Sequence, residues 1–206
     1  GLSISCLLPI DPNTVLIGTN GAGVIKLDRS TGADTRLRLE EATDHPSTIG
    51  SMNQIRCMAS YANGWLIGTN YGLLRLDADF TQLQRPKELV KIQPKLGRGG
   101  ITFITNDLQG GSWIGKWQGG LYRMSSPSHV EYFDSVAPAQ LPSDYLLSST
   151  AGADGMWLGF NNGAGACLIR NDSIVERVLH EPDSNGANYG VVNALALDTD
   201  GTLYIG

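Results

Sequence analysis

Three groups of residues in this sequence could do chemistry. The first is Tyr71, Lys116-Trp117-Gln118 and Asn161-Asn162, which lie in short glycine-flanked stretches. Together they supply an aromatic platform with amide and ammonium partners, the mixture that a sugar-binding cleft uses. The alternative reading is of solvated turn tips with a Trp packed on its neighbour. The second group is His45, His129 and His180, which are far apart and form no HxH or HxxxH pair. No metal site is expected from them. A Ser-His-Asp triad would meet only in space, but the chain has no G-x-S-x-G elbow. The third group is Cys6, Cys57 and Cys167, an odd number without CxxC spacing, read as buried thiols. Asp198-Thr199-Asp200-Gly201 resembles the opening of a calcium loop but lacks the distal Glu, so a hairpin turn is expected. The sequon Asn171-Asp172-Ser173 carries no weight by itself. The residues therefore point to binding, with no catalytic residue, metal or cofactor expected.

The composition excludes several classes. Of 206 residues 26 are Gly, nearly twice the usual share, and 17% are charged, below the usual share. Disordered chains carry more charge, coiled coils are rich in Ala, Glu, Lys and Leu, and collagen has Gly at every third position. A net charge of -5 gives no basic face for phosphates, which argues against nucleic acid. No apolar run is long enough to span a membrane, and the first residues, GLSISCLLPIDPN, lack a basic flank and are broken by Pro9.

The glycines fall at repeated positions. Leu16-Ile17-Gly18 returns as Leu66-Ile67-Gly68, Trp113-Ile114-Gly115, Trp157-Leu158-Gly159 and Tyr204-Ile205-Gly206, at spacings of 50, 47, 44 and 47 residues. An apolar residue stands 13 or 14 positions before each anchor Gly: Ile4, Ile55, Ile101, Leu146 and Val192. Alternation such as Ile55, Cys57, Ala59 marks a strand there, and turn residues such as Asn63-Gly64, Gly110-Gly111 and Asp154-Gly155 follow. A second glycine turn and a third apolar stretch come after each of the first four anchors, as in Val24 to Asp28 and Leu73 to Asp77. Weaker fourth strands are expected at Thr35 to Leu39, Phe80 to Leu83, His129 to Phe133 and Ile174 to Leu179, and one short helix at Lys87 to Ile92.

Four antiparallel strands at this period predict an all-β fold, a β-propeller of four full four-stranded blades plus a partial fifth. The expected blades are 1–52, 53–99, 100–144, 145–190 and the partial 191–206. A two-sheet sandwich also has short strands, but it does not predict one recurring anchor. In a propeller the turns joining strand two to three, and strand four to the next blade, share one face. Tyr71, Lys116, Trp117, Gln118, Asn161 and Asn162 all belong to the first set.

The stretches Asn63-Gly64-Trp65-Leu66-Ile67-Gly68-Thr69-Asn70-Tyr71-Gly72-Leu73-Leu74-Arg75-Leu76-Asp77 and Leu197 to Gly206 resemble the two-component-regulator propeller repeat. The resemblance runs through all five units. Units three and four depart from it: Lys116 and Phe160 stand where Thr usually follows the anchor, and the closing Asp is missing. The resemblance implies the extracytoplasmic sensor region of bacterial hybrid histidine kinases or diguanylate cyclases. It implies a periplasmic or extracellular place, a small-molecule or oligosaccharide ligand, and the rest of a receptor chain and a second copy as partners. A fragment of a larger propeller is the corresponding expectation. The competing functions are a propeller enzyme, a glycan lyase or hydrolase, and an interaction scaffold like WD-repeat propellers.

Overall fold

In this computed structural model the described residues are 2–38, 49–86, 89, 94–126, 128–136, 140–178 and 190–206. They form four antiparallel four-stranded sheets and one two-stranded sheet. The first sheet is β1 (Ile4–Pro9), β2 (Thr14–Thr19), β3 (Val24–Asp28) and β4 (Asp34–Leu37). A short helix, α1 (Ile49–Met52), leads to the second: β5 (Ile55–Tyr61), β6 (Gly64–Thr69), β7 (Gly72–Asp77) and β8 (Leu83–Gln84). After a single 3-10 turn at Pro94–Gly97 comes the third: β9 (Ile101–Asn106), β10 (Ser112–Lys116), β11 (Leu121–Ser126) and β12 (His129–Phe133). The fourth is β13 (Leu146–Gly152), β14 (Gly155–Phe160), β15 (Ala166–Arg170) and β16 (Ser173–Val178). The last pair is β17 (Leu195–Leu197) and β18 (Leu203–Ile205). Strands pair in chain order throughout, each sheet being a meander. The chain divides into two compact units, Gly1–Ile104 and Thr105–Gly206, with the division inside β9.

The recurring Gly marks where one sheet packs on the next. A Cβ on Gly18 or on Gly68 would fall 2.7 Å from Ile55 or Ile101 respectively, and one on Gly159 would fall 2.6 Å from Val192. In each case the other neighbour is a small side chain of the sheet's own first strand: Cys6, Cys57 or Ser148. Glycine is required here for close approach, since no Cβ fits between sheets this near. At these three anchors a β-branched residue of the following sheet, Ile55, Ile101 or Val192, is the knob that fills the gap. Ile55 and Ile101 are 1% and 0% exposed, whereas Ile4, with no described sheet before it, is 59% exposed. Burying one such Ile contributes about 1.5–3 kcal/mol. The Gly1–Ile104 unit gathers Leu16, Val24, Met52, Ile55, Met58, Ile67, Leu74 and Leu76 into one cluster.

A second repeated feature is a register shift in the first strand, between Ile4 and Cys6, Ile55 and Cys57, and Leu146 and Ser148. Each bulge turns the small residue onto the anchor Gly, and in the second sheet it leaves Ile55 facing Gly18 of the sheet before.

The first two sheets brace their turns identically. Thr19 Oγ1 donates to the Gly23 carbonyl (2.7 Å) and accepts from Ala22 N–H (3.0 Å). Thr69 Oγ1 does the same with Gly72 (2.8 Å) and Tyr71 (3.0 Å). Asp28 Oδ1 accepts from the N–H groups of Ser30 and Thr31, and Asp77 Oδ1 from those of Thr81 and Gln82. The Ser30 hydroxyl with these N–H groups at Asp28, and the Gln82 N–H with the Thr81 hydroxyl and N–H at Asp77, hold both carboxyls below the usual carboxylate range.

Two local expectations differ from the structure. The last strand of the second sheet is Leu83–Gln84. Phe80 lies in the preceding turn at φ 58, where its ring stacks on Trp65 at 4.4 Å with Lys26 Nζ 4.1 Å from it. In the β5–β6 turn the left-handed residue is Ala62 (φ 47). Gly64 is needed because a Cβ would strike the Leu76 carbonyl. The helix expected at Lys87 to Ile92 lies almost wholly outside the described residues, as do His45, His180 and Leu39. Asp198–Gly201 is the β17–β18 hairpin turn: Gly201 has φ 88, and the Asp198 side chain accepts from Thr199 N–H.

Candidate functional site

The strand-two-to-three turns of the third and fourth sheets carry five of the six candidate residues, and both lie in the Thr105–Gly206 unit. Their local fold follows from the residues that replace Thr. Lys116 and Phe160 cannot brace a turn by hydroxyl; both are buried, at 6% and 0% exposure. The Lys116 ammonium lies 5.8 Å from the centre of the Tyr122 ring. The backbone turns through left-handed residues just beyond, Gln118 at φ 55 and Asn162 at φ 61. Amide residues tolerate that conformation through local hydrogen bonds, and Asn161 Oδ1 accepts from Asn162 N–H at 2.8 Å.

Trp117 consequently stands at the tip of its turn, 43% exposed. Its indole meets the Tyr145 ring edge-on, with centroids 5.7 Å apart and planes 81° from parallel. Gln118 Nε2 donates to the Tyr145 hydroxyl at 2.7 Å. The carbonyl of Tyr145 accepts from Asn161 N–H at 2.9 Å. Trp117, Gln118 and Tyr145 therefore form one side-chain cluster, an indole face, an amide and a phenol, to which the next turn is tied through the Asn161 backbone.

Tyr145 was not among the candidates read from the sequence. It stands immediately before the first strand of its sheet, the position held by Ser3, Gln54, Gly100 and Val191 in the other units. Its place beside the ligand-facing turns was readable from the repeat; its contact with Gln118 was not. A related seam recurs: the turn N–H groups of Gly21 and Gly23 donate to the Asn53 carbonyl, those of Gly119 and Gly120 to Asp144, and that of Gly163 to Gly190. Each acceptor sits two residues before the knob of the following sheet, so the seam fixes these three turns against the sheet that follows.

Lys116 and Tyr71 are placed differently. Lys116 is buried beside Gly119 of its own turn and Tyr122, whose buried hydroxyl has no hydrogen-bond partner and is pushed well above the usual phenol range by burial. Tyr71 belongs to the Gly1–Ile104 unit, where its ring packs partly buried against the apolar cluster. Among the described residues no group of His, Cys, Asp or Glu is arranged to hold a metal. His129 sits on the last strand of its sheet, 3.7 Å from Glu131. Of the three thiols Cys167 is buried and Cys6 and Cys57 are partly buried; desolvation raises all three, Cys167 to about 12, and none is disulfide-bonded.

Sheets of four meandering strands, joined by Gly-and-knob packing at a fixed period, define a β-propeller. Solved structures agree. The extracellular domain of the B. thetaiotaomicron hybrid two-component system BT3049 superposes with a TM-score of 0.73 at 16% identity, covering 100% of this chain and 26% of that one. The corresponding domain of BT4673 gives 0.56 at 16%, covering 98% of this chain and 31% of that one. The β-propeller domain of Myceliophteria thermophila Cps50 (Swd1) gives 0.63 at 13%, with 99% and 62% covered. This chain thus spans about a quarter to a third of the length of the two bacterial domains. No protein-family model matches the chain, and no curated protein matches it.

Proposed function

We propose that this chain is part of the extracytoplasmic ligand-sensing propeller of a bacterial two-component or diguanylate cyclase receptor, a binding module without catalysis of its own. Its likeness in fold to the extracellular domains of BT3049 and BT4673 supports that setting. So does the resemblance of the repeated unit, as in Trp65-Leu66-Ile67-Gly68-Thr69, to the two-component-regulator propeller repeat. The ligand surface is the cluster of Trp117, Gln118, Asn161 and Asn162 with Tyr145, with Lys116 at the base of the same turn; Tyr71 is the aromatic of the corresponding turn in the other unit, one position further from its anchor Gly. The observation that carries the binding reading is Trp117, a large aromatic held exposed on a left-handed turn and fixed from the side by Tyr145. An exposed aromatic face flanked by amides suits an oligosaccharide, whose C–H face stacks while its hydroxyls hydrogen-bond.

The described carboxyls with shifted affinity for protons, Asp11, Asp28, Asp77 and Asp200, are all held low by turn hydrogen bonds. A general acid needs the opposite shift, which none of these four carboxyls has. Signalling follows if the bound ligand favours one of two receptor arrangements. Isothermal titration against a panel of oligosaccharides is expected to give saturable heat for at least one. Affinity should fall roughly tenfold in Trp117→Ala, the upper end of what one aromatic contact supplies. Silence of the folded protein across the panel would sink the sugar reading.

A further inference from the structure

The Thr105–Gly206 unit has a second concave site, at the other end of its sheets. Successive strands alternate in direction, so the β9–β10, β13–β14 and β15–β16 turns lie opposite the turn that carries Trp117. Between them is a cleft of about 400 Å³, within the size range of small-molecule sites. Its lining includes Trp113, Asp107 and Arg123 from the third sheet, and Asp154, Arg170 and Asp172 from the fourth.

The state of the two arginines is informative. Arg123 lies over the Trp113 ring at 5.2 Å. It has acidic neighbours at 3.5 Å (Asp107), 3.6 Å (Asp172) and 3.8 Å (Glu131). All three distances exceed hydrogen-bond length, which for N–H···O is about 2.7–3.2 Å. Its buried Nε has no hydrogen-bond partner. Charge and stacking therefore hold the guanidinium in place, with at least the Nε donor unspent. Arg170 Nε donates to the Asp154 carbonyl at 2.5 Å, and its Nη2 lies 3.5 Å from Asp154 Oδ1, again beyond hydrogen-bond length.

The charges select the ligand. Asp107 is committed: it accepts from the N–H groups of Gln109 and Gly111 and from Trp113 Nε1 at 2.9 Å. Beneath Arg123 its carboxylate, with Glu131 and Asp172 beside it, repels any incoming anion. The remaining pairs, Arg123 with Asp172 and Arg170 with Asp154, neutralise one another. A zwitterion would have to give up the hydration of two full charges to enter a site whose charges are already paired. What the cleft lacks is a partner offering donors and acceptors together, and a hydroxyl is both.

We propose that this cleft is a second ligand site, for a neutral polyhydroxyl molecule of mono- or disaccharide size. Adjacent hydroxyls accept from Arg123 and Arg170 and donate to Asp172 and Asp154. The site is independent of the Trp117 cluster and holds whether or not that cluster binds sugar.

NMR can read the two sites separately, through the indole N–H signals of Trp113 and Trp117 and the Nε–H of Arg123. Titration of the full chain with maltose, cellobiose and sucrose is expected to shift the Trp113 and Arg123 signals, saturating on the order of 1 mM. Asp172→Asn, which keeps a residue suited to the left-handed turn, and Arg170→Ala should each weaken that response about tenfold. Dispersion of the remaining spectrum reports that the variants are folded. The proposal is overturned if no sugar moves the Trp113 and Arg123 signals, or if both variants respond like the parent. It is equally overturned if glycylglycine or sulfate saturates the site where the sugars do not. A shift of Trp117 alone would place the sugar at the turn cluster, supporting that site and refuting this one.

Discussion

Two tryptophans of the third sheet show how one residue type takes opposite roles. Trp113 is 5% exposed, stacked on Phe133 at 5.7 Å and tied to Asp107 through its indole N–H. Trp117, four positions on, is an exposed turn residue. Trp113→Ala should cost about 3–5 kcal/mol, as for other buried aromatics. Trp117→Ala should stay within about 1 kcal/mol of the parent. Urea denaturation of both variants measures the difference; equal losses would mean that Trp117 is a packing residue and not a binding platform. The sequence names both residues but separates them only by position, Trp113 in the anchor tripeptide and Trp117 beyond it. Lys116 was misleading for the same reason. Its charge suggested exposure, yet it occupies the slot after the anchor Gly, where Thr19, Thr69 and Phe160 are also buried. That slot faces inward whatever residue fills it.

At the scale of the element, a blade is recognisable because three of its parts are tied to fixed positions. The anchor Gly is placed by close approach, the knob by the gap it fills, and the small residue of the first strand by the bulge that turns it onto the Gly. Gly68→Ala forces a Cβ between Cys57 and Ile101 and should cost about 1–3 kcal/mol, the usual penalty of overpacking. Gly50, in α1, has nothing within 4 Å of a built Cβ and a φ outside the left-handed range. Gly50→Ala should leave stability unchanged or raise it by up to about 1 kcal/mol, by restricting the unfolded chain. Thermal denaturation of the pair tests the assignment, and a harmless Gly68→Ala would refute the close-packed seam. The fourth strands were the least legible elements, because outer edge strands bury little and carry weak patterning. Phe80 shows the consequence: its apolar character suggested a strand, whereas its contact with Trp65 and Lys26 places it in a turn.

For the whole molecule, stability depends on turns as well as on the packed sheets. Asp28 and Asp77 release their protons more readily when folded than when unfolded, so their contribution is complete above the ordinary carboxylate range. It is lost as pH falls through that range, about pH 4 and below. The urea midpoint should therefore hold level near neutrality and decline in acid. The decline should be shallower in Asp77→Ala, which has one such group fewer. A midpoint in Asp77→Ala that tracks the parent at every pH would show that the turn bonds add nothing. The sequence by itself determined the fold class, the period and the residues of each seam, because close packing between equivalent sheets imposes the same residue at the same place in every unit. Only the tertiary structure decided which turn residues become a surface. Tyr145 joins Trp117 and Gln118, and Arg123 meets Asp172, through contacts between neighbouring sheets. Such contacts link residues 28 and 49 positions apart that no repeat relates, and so periodicity cannot report them.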